Sequence, residues 1–186
     1  MCLERFTLGM DVYGKMPTTE AGKHFQRSVF TWQPLADIIL GLCPDEAAPC
    51  KYWHTNDGAG LDAEASIRLA EALERMLSAG EVSDWIRLRD ASLAALPNEP
   101  CKWCNGTGVR TDKIGAQFGH PSRVVGATTT VKGTQIPHPR AGQAGWCNAC
   151  DGRGWSRPLS TSYTLDETEV RDFVAFLRSC GGFEIW

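Results

Sequence analysis

No stretch of this sequence is both long and apolar enough to cross a bilayer: the run IILGLC at 38–43 falls far short of the ~20 residues a spanning helix needs. The amino-terminal MCLERFTLGM carries Glu4 and lacks the uncharged apolar segment of a secretory signal, so the expectation is a cytoplasmic protein with no membrane partner. Acidic residues are missing from Lys113 through Cys150, which leaves a central segment charged only by cations. Cysteine is missing between Cys104 and Cys147, which leaves one set of four thiols flanking that segment.

What is present describes a globular chain of ordinary domain size. Hydrophobic residues make up 42% of its 186 residues and charged residues 22%, and seven Trp with seven Phe supply apolar surface for a packed interior. The net charge of -3 is segregated. Residues 1–100 hold nine Lys/Arg against 15 Asp/Glu, residues 101–158 hold eight against two, and residues 159–186 hold two against five. The cysteine-bearing segment is thus the basic part of an acidic protein.

Several elements follow from local pattern. RFTLGMDVYG predicts a strand leading into a loop through KMPTTEAGK. TWQPLADIILGLC predicts a helix with Pro34 in its first turn, Leu35, Ile38, Ile39 and Leu42 on its buried side, and an end near Pro44. A loop from Pro44, containing Tyr52 and Trp53 as packing residues and a turn at Asn56-Asp57-Gly58, leads to Asp62. Asp62 predicts the N-cap of a helix with the stripe Ala65, Leu69, Leu73, Met76 and Leu77, closed by Gly80. Ser83 predicts the cap of the next helix, with Trp85, Ile86, Leu93 and Leu96 available for packing before Pro97 and Pro100 break the chain. RVVGATTTV reads as a ribbon or hairpin with a mobile tip, and GTQIPHPRAGQAGW as exposed loop. Thr164 and Glu167 have capping-box spacing ahead of a last helix with Val170, Phe173, Val174 and Leu177 on one side, ending near Gly181-Gly182.

The sharpest motif is a duplication: CKWCNGTG at 101–108 returns as CNACDGRG at 147–154. Two residues between cysteines let one tight turn aim both sulfurs at a common point. Cys101 with Cys104 and Cys147 with Cys150 therefore supply the thiolates of one structural, tetrahedral zinc ion per chain. Gly106 and Gly152 occupy equivalent places in the two copies, where a missing β-carbon permits positive φ and lets amides approach sulfur. Four thiolates leave no open position on the metal, so these cysteines do not point to metal catalysis; a dithiol redox pair is the competing use of CxxC.

Each copy reads CxxCxGxG and resembles the cysteine-rich zinc repeat of the DnaJ chaperone family, carried here by Cys101, Cys104, Gly106 and Gly108 and by Cys147, Cys150, Gly152 and Gly154. In that family four repeats hold two zinc ions, so the resemblance implies a one-zinc version in which a basic loop replaces the inner pair. The HPD motif of a J domain is absent, so co-chaperone activity is not implied. GMDVYGK and NDGAGL are similar to a group of bacterial and phage proteins, which implies no mechanism and permits a phage or mobile-element regulator or inhibitor.

The fold class expected is α+β, a helix-rich body with an inserted four-cysteine zinc ribbon. Residues 1–100 would be a helical body with an N-terminal strand, 101–158 the zinc-binding insertion with its basic loop, and 159–186 a strand and helix returning to the body. The expected function is a zinc-binding interaction module for protein or nucleic acid. Arg110, Lys113, Arg123, Lys132 and Arg140 are its partner-binding candidates, and Trp103, Trp146 and Trp155 at the knuckles are available to stack on bases. The alternative is a small enzyme in which Cys50, His54 and Asn56 or Asp57 serve as nucleophile, base and orienting group. Cys43, Cys50 and His54 with His24 form a less regular candidate metal set.

Overall fold

Alternation along the strand Gly9–Gly14 (β1) sends Met10 and Val12 into a core and leaves Tyr13 exposed on the opposite side. In this computed structural model, which describes residues 9–186, β1 lies inside a four-stranded antiparallel sheet. Its neighbours are His24–Ser28 (β2) on one side and Phe183–Ile185 (β8) on the other, with Gly60–Leu61 (β3) beyond β8. The register places Val12 opposite both Phe25 and Ile185, and Leu61 opposite Phe183, so these apolar side chains share the buried face. On the other face His24 stacks on Tyr13 at 4.6 Å and its Nε2 lies 2.7 Å from Asp11 Oδ1. Residues 5–8 of the predicted first strand lie outside the described residues.

Three helices contribute most of the remaining core: Val29–Leu42 (α1), Ala63–Ala79 (α3) and Glu167–Ser179 (α6). Trp32, Trp53, Phe25, Phe173, Phe176 and Phe183 form its aromatic centre. Both buried indoles are satisfied: Trp32 donates to the Trp53 carbonyl at 2.6 Å and Trp53 to the Ala47 carbonyl at 3.2 Å. The Ala47 carbonyl comes from a short helix, Pro44–Ala47 (α2), inside the segment expected to be loop. Tyr52, expected to pack, is exposed.

The Asp62 cap and Gly80 stop of α3 form as expected, with Asp62 Oδ1 accepting from the Ala65 amide at 2.7 Å and Gly80 left-handed at φ 80°. Three other helix starts differ from expectation. α1 begins at Val29, which puts Pro34 in its second turn. Proline cannot donate to the Phe30 carbonyl four residues back, and the amide of Thr164 fills that vacancy at 3.1 Å. The Thr164 amide is thus held by α1, and the cap of α6 is Asp166, which accepts from the Glu169 amide at 3.0 Å. Ser83 lies inside Glu81–Ala95 (α4), which starts directly from the Gly80 turn, and its hydroxyl donates to Glu167.

The chain divides into two compact units, one of described residues up to 94 with 160–186 and one of residues 95–159. The first holds the sheet and helices above. In the segment 159–186 Leu159–Ser162 is a 3-10 turn rather than a strand, and the strand β8 follows α6. The second is held by Glu99–Pro100 (β4) paired with Trp155–Ser156 (β7), a five-residue helix Lys113–Gln117 (α5), and a hairpin of Thr128–Val131 (β5) with Thr134–Pro137 (β6). Lys132 and Gly133, both at positive φ, make its two-residue turn. Together the two units make an α+β protein. Among the described residues no helix is long and apolar enough to cross a membrane.

Candidate metal centre

The 95–159 unit has almost no apolar interior of its own. Its buried hydrophobic cluster consists of Cys101, Cys104, Cys147 and Cys150. The four sulfurs lie within 4.8 Å of one another, with Cys101 Sγ 4.0 Å from Cys147 Sγ and Cys104 Sγ 3.8 Å from Cys150 Sγ. A tetrahedron of metal–sulfur bonds near 2.3 Å has edges of about 3.8 Å, so these separations suit one ion shared by both pairs. All four cysteines are free of disulfides, and together they can hold a metal.

The two copies build the site reciprocally. In each, the second cysteine is followed by a left-handed residue, Asn105 at φ 48° and Asp151 at φ 51°, and then by two left-handed glycines. These turns aim the Gly108 amide at Cys104 Sγ, 3.2 Å away, and the Gly154 amide at Cys150 Sγ, 3.3 Å away. The last glycine of each copy also lies against the other copy. A Cβ at Gly108 would sit 2.3 Å from the Gly152 carbonyl oxygen, and one at Gly154 would sit 2.3 Å from the Gly106 carbonyl oxygen. The shared GxG is thus a packing requirement between the two turns as well as a conformational one.

Burial raises the thiols of Cys147 and Cys150. At Cys104 burial pushes in the same direction but is outweighed by the Gly108 amide and the neighbouring thiols, so its proton is the more easily lost. A metal ion would replace the remaining protons and supply the positive charge that the buried sulfurs lack.

Around this centre the predicted partner residues separate into two groups. Arg110 is buried, not presented on a loop: its Nε and Nη2 donate to the Asp112 carboxylate, its Nη1 donates to Asn148 Oδ1 at 3.0 Å, and its guanidinium lies 4.8 Å from the Trp103 ring. That ion pair holds the Asp112 carboxyl below its usual range, helped by the Gly115 amide, which Asp112 also caps. Arg140 is half-buried and its guanidinium is already engaged, donating to Gln143 and to the carbonyls of Gly152 and Ala144. Lys113, Arg123 and Lys132 are exposed, Arg123 lying 3.7 Å over the Trp146 ring. Each knuckle tryptophan is therefore already matched with an arginine, Trp155 with Arg153 at 4.8 Å. Trp146 and Trp155 are half-buried, whereas Trp103 is 61% exposed.

Residues 134–146 are more ordered than the exposed loop expected from their composition. His138 is buried, with Nε2 donating to the Asp151 carbonyl at 2.6 Å and Nδ1 accepting from the Arg140 amide at 3.0 Å, which fixes its tautomer. Asp151 gathers further bonds from the Thr129 hydroxyl and from Trp146 Nε1, tying the hairpin to the second knuckle. Asp112 and Asp151 were not among the expected site residues; their sequence signals are an R-x-D step ahead of a short helix and an acidic residue placed before the GxG.

The structure does not assemble the candidate catalytic group. Cys50 is buried in the core of the first unit, and burial raises its thiol. His54 is exposed and its Nε2 lies 3.3 Å from Asp37 Oδ1. Among the described residues Cys50, His54 and Asp57 share no hydrogen bond. Neither Asn56 nor Asp57 orients the histidine, and the Cys43, Cys50, His54 and His24 set does not gather, since His24 faces Asp11 on the sheet. Compared with known proteins, the chain matches no family model, no curated protein and no solved structure.

Proposed function

We propose that the chain is a zinc-supported interaction module, in which one structural zinc ion on Cys101, Cys104, Cys147 and Cys150 organises residues 95–159 into a recognition surface for a protein or nucleic acid. The supporting observation is that these cysteines are the only buried apolar cluster of that unit. A unit of that size with so little other core needs a metal or covalent clip to hold its turns. Zinc suits all-thiolate tetrahedral coordination, and four protein ligands leave no position for a substrate, so the ion's role is to fold. The CxxCxGxG resemblance to the DnaJ-type repeat is part of the same proposal, as is a reducing compartment that keeps the thiols free.

Zinc supplies a closed anchor for the turns when bound; the chain's own residues do the rest. The Gly108 and Gly154 amides donate to ligand sulfurs, Arg110 is fixed by Asp112 and by Asn148, which stands between two of the ligands, and Asp151 joins the hairpin to the site. Metal analysis of untagged protein is expected to give one zinc per chain. Substoichiometric zinc together with a reversible disulfide among these cysteines would overturn the proposal and favour dithiol redox chemistry.

A further inference from the structure

We infer that the face beside the first knuckle binds single-stranded nucleic acid, with a base stacked on Trp103 and neighbouring phosphates held by Lys102 and Lys113. This deepens the interaction-module reading and rests on it, because Trp103 lies between two of the metal ligands.

Trp103 is 61% exposed, yet it is not a loose side chain. The Arg110 guanidinium lies 4.8 Å from its ring centroid, and that guanidinium is fixed by Asp112 and Asn148. The ring is thus backed by an immobilised cation, while most of its surface faces solvent. An aromatic plane held in this way loses little conformational freedom on stacking, and any base offers a π-face to it.

A groove of about 480 Å³ runs beside it, bounded by Trp103, Asn105, Thr107, Val109, Thr111 and Asp112. The side chains of Asn105 and Thr111 make no hydrogen bond to another described residue, so their donors and acceptors are free for base edges or sugar hydroxyls. Lys102 and Lys113, next in sequence to the groove residues Trp103 and Asp112, are exposed, neither with a carboxylate at ion-pair distance among the described residues. The whole 95–159 unit holds eight Lys/Arg against Glu99, Asp112 and Asp151, a net +5. A zinc ion with four thiolates lowers this by two charges to +3, still attractive to phosphate. An acidic protein would answer the charge alone. The platform and the unpaired polar groups beside it favour a ligand with both phosphates and flat bases.

The test titrates fluorescein-labelled oligothymidylate and oligouridylate with the full zinc-loaded chain, followed by anisotropy across a range of salt. Heparin and polyglutamate serve as polyanions without bases. Binding is expected to weaken with salt at a slope of about −0.7 per phosphate engaged. Trp103→Ala is expected to weaken it by roughly 5- to 100-fold at unchanged zinc content, with Trp103→Phe retaining most of the affinity. Lys102→Glu with Lys113→Glu is expected to abolish the interaction and, since both side chains are exposed and unpaired, to leave zinc in place. If Trp103→Ala loses zinc, Trp103→Phe and the lysine pair still decide. No binding to either oligonucleotide overturns the inference. So does heparin or polyglutamate binding as tightly as the oligonucleotides, insensitive to Trp103, or an acidic protein partner that uses these residues while oligonucleotides do not bind. Zinc content is read separately, so failure of nucleic-acid binding is distinguishable from failure of the metal site.

Discussion

Substituting the knuckle glycines one at a time separates conformational cost from steric cost at the metal centre. Gly106 and Gly108 have nearly the same φ, 79° and 76°, so alanine at either pays a similar left-handed penalty of about 1–2 kcal/mol. Their surroundings differ. A Cβ at Gly106 meets Pro100 Cβ at 3.6 Å and the Gly154 oxygen at 3.8 Å, which is ordinary contact. At Gly108 it meets the Gly152 oxygen at 2.3 Å and Arg140 Nη1 at 2.4 Å. The carbonyl must retreat by roughly an ångström to reach ordinary contact, and it is the acceptor for Arg140 Nη1 at 3.1 Å. Residue 108 must give way as well, which draws its amide away from Cys104 Sγ, 3.2 Å distant.

Two hydrogen bonds at ~1 kcal/mol each, added to the left-handed penalty, bring Gly108→Ala to about 3–4 kcal/mol. Since the metal and the fold of this unit are coupled, the loss should appear in zinc affinity, where 1.4 kcal/mol is about tenfold. Competition against a chromophoric chelator should therefore show Gly106→Ala weakened by about tenfold and Gly108→Ala by roughly 100- to 1,000-fold. Gly154→Ala should fall between the two, because its Cβ meets the Gly106 oxygen at the same 2.3 Å and its amide serves Cys150 Sγ, but no arginine bond depends on the displaced carbonyl. Equal losses at 106 and 108 would refute the reciprocal packing of the two turns.

Four further outcomes follow from the first unit. Asp62→Ala removes the acceptor for the Ala65 amide and should cost about 1 kcal/mol in urea unfolding of the zinc-loaded chain. Phe173→Ala, at the centre of the aromatic cluster, should cost about 3–5 kcal/mol in the same measurement while leaving zinc stoichiometry unchanged. Glu74 is held below its ordinary 4.5 by its hydrogen bond to Arg178, so the pair stabilises the fold above that value and the gain disappears as pH falls through the lower folded pKa; Arg178→Ala should flatten this acid limb of a thermal-melt profile. Cys43 is pushed up to about 11 by burial, with Glu46 adding to the shift, so the folded state favours the neutral thiol. Its contribution is complete below 9.0 and declines as pH rises towards about 11, a loss that Cys43→Ala should remove from the alkaline limb.

Helix α3 was legible because its start, stripe and stop are local: Asp62, the apolar series and Gly80 act within one segment. The start of α6 was not, because Thr164 and Asp166 both stand three residues before an acid. The Thr164 amide is instead tied to the Phe30 carbonyl left free by Pro34, a partner 134 residues away in sequence that no local pattern announces. The interior strand β8 was also hidden. Phe183–Ile185 is too short to display a period, and it becomes a strand only by pairing with β1 and β3. β2 has a single buried residue, Phe25, and likewise takes its identity from its neighbour.

The metal ligands were legible for the same reason as α3, since CxxCxGxG is a local instruction written twice. The roles of the cations were not, because a lysine or arginine has the same letter whether it faces water or a buried acceptor. Arg110 and Arg140 are spent inside the unit, the first on Asp112 and Asn148 and the second on backbone carbonyls and Gln143. Mutating them should disturb zinc affinity together with any partner binding. Lys102 and Lys113 make no such bonds among the described residues, so their loss should touch partner binding alone. A surface held by zinc needs both classes. Measuring zinc affinity beside ligand affinity for each cation distinguishes the residues that build the surface from those that use it.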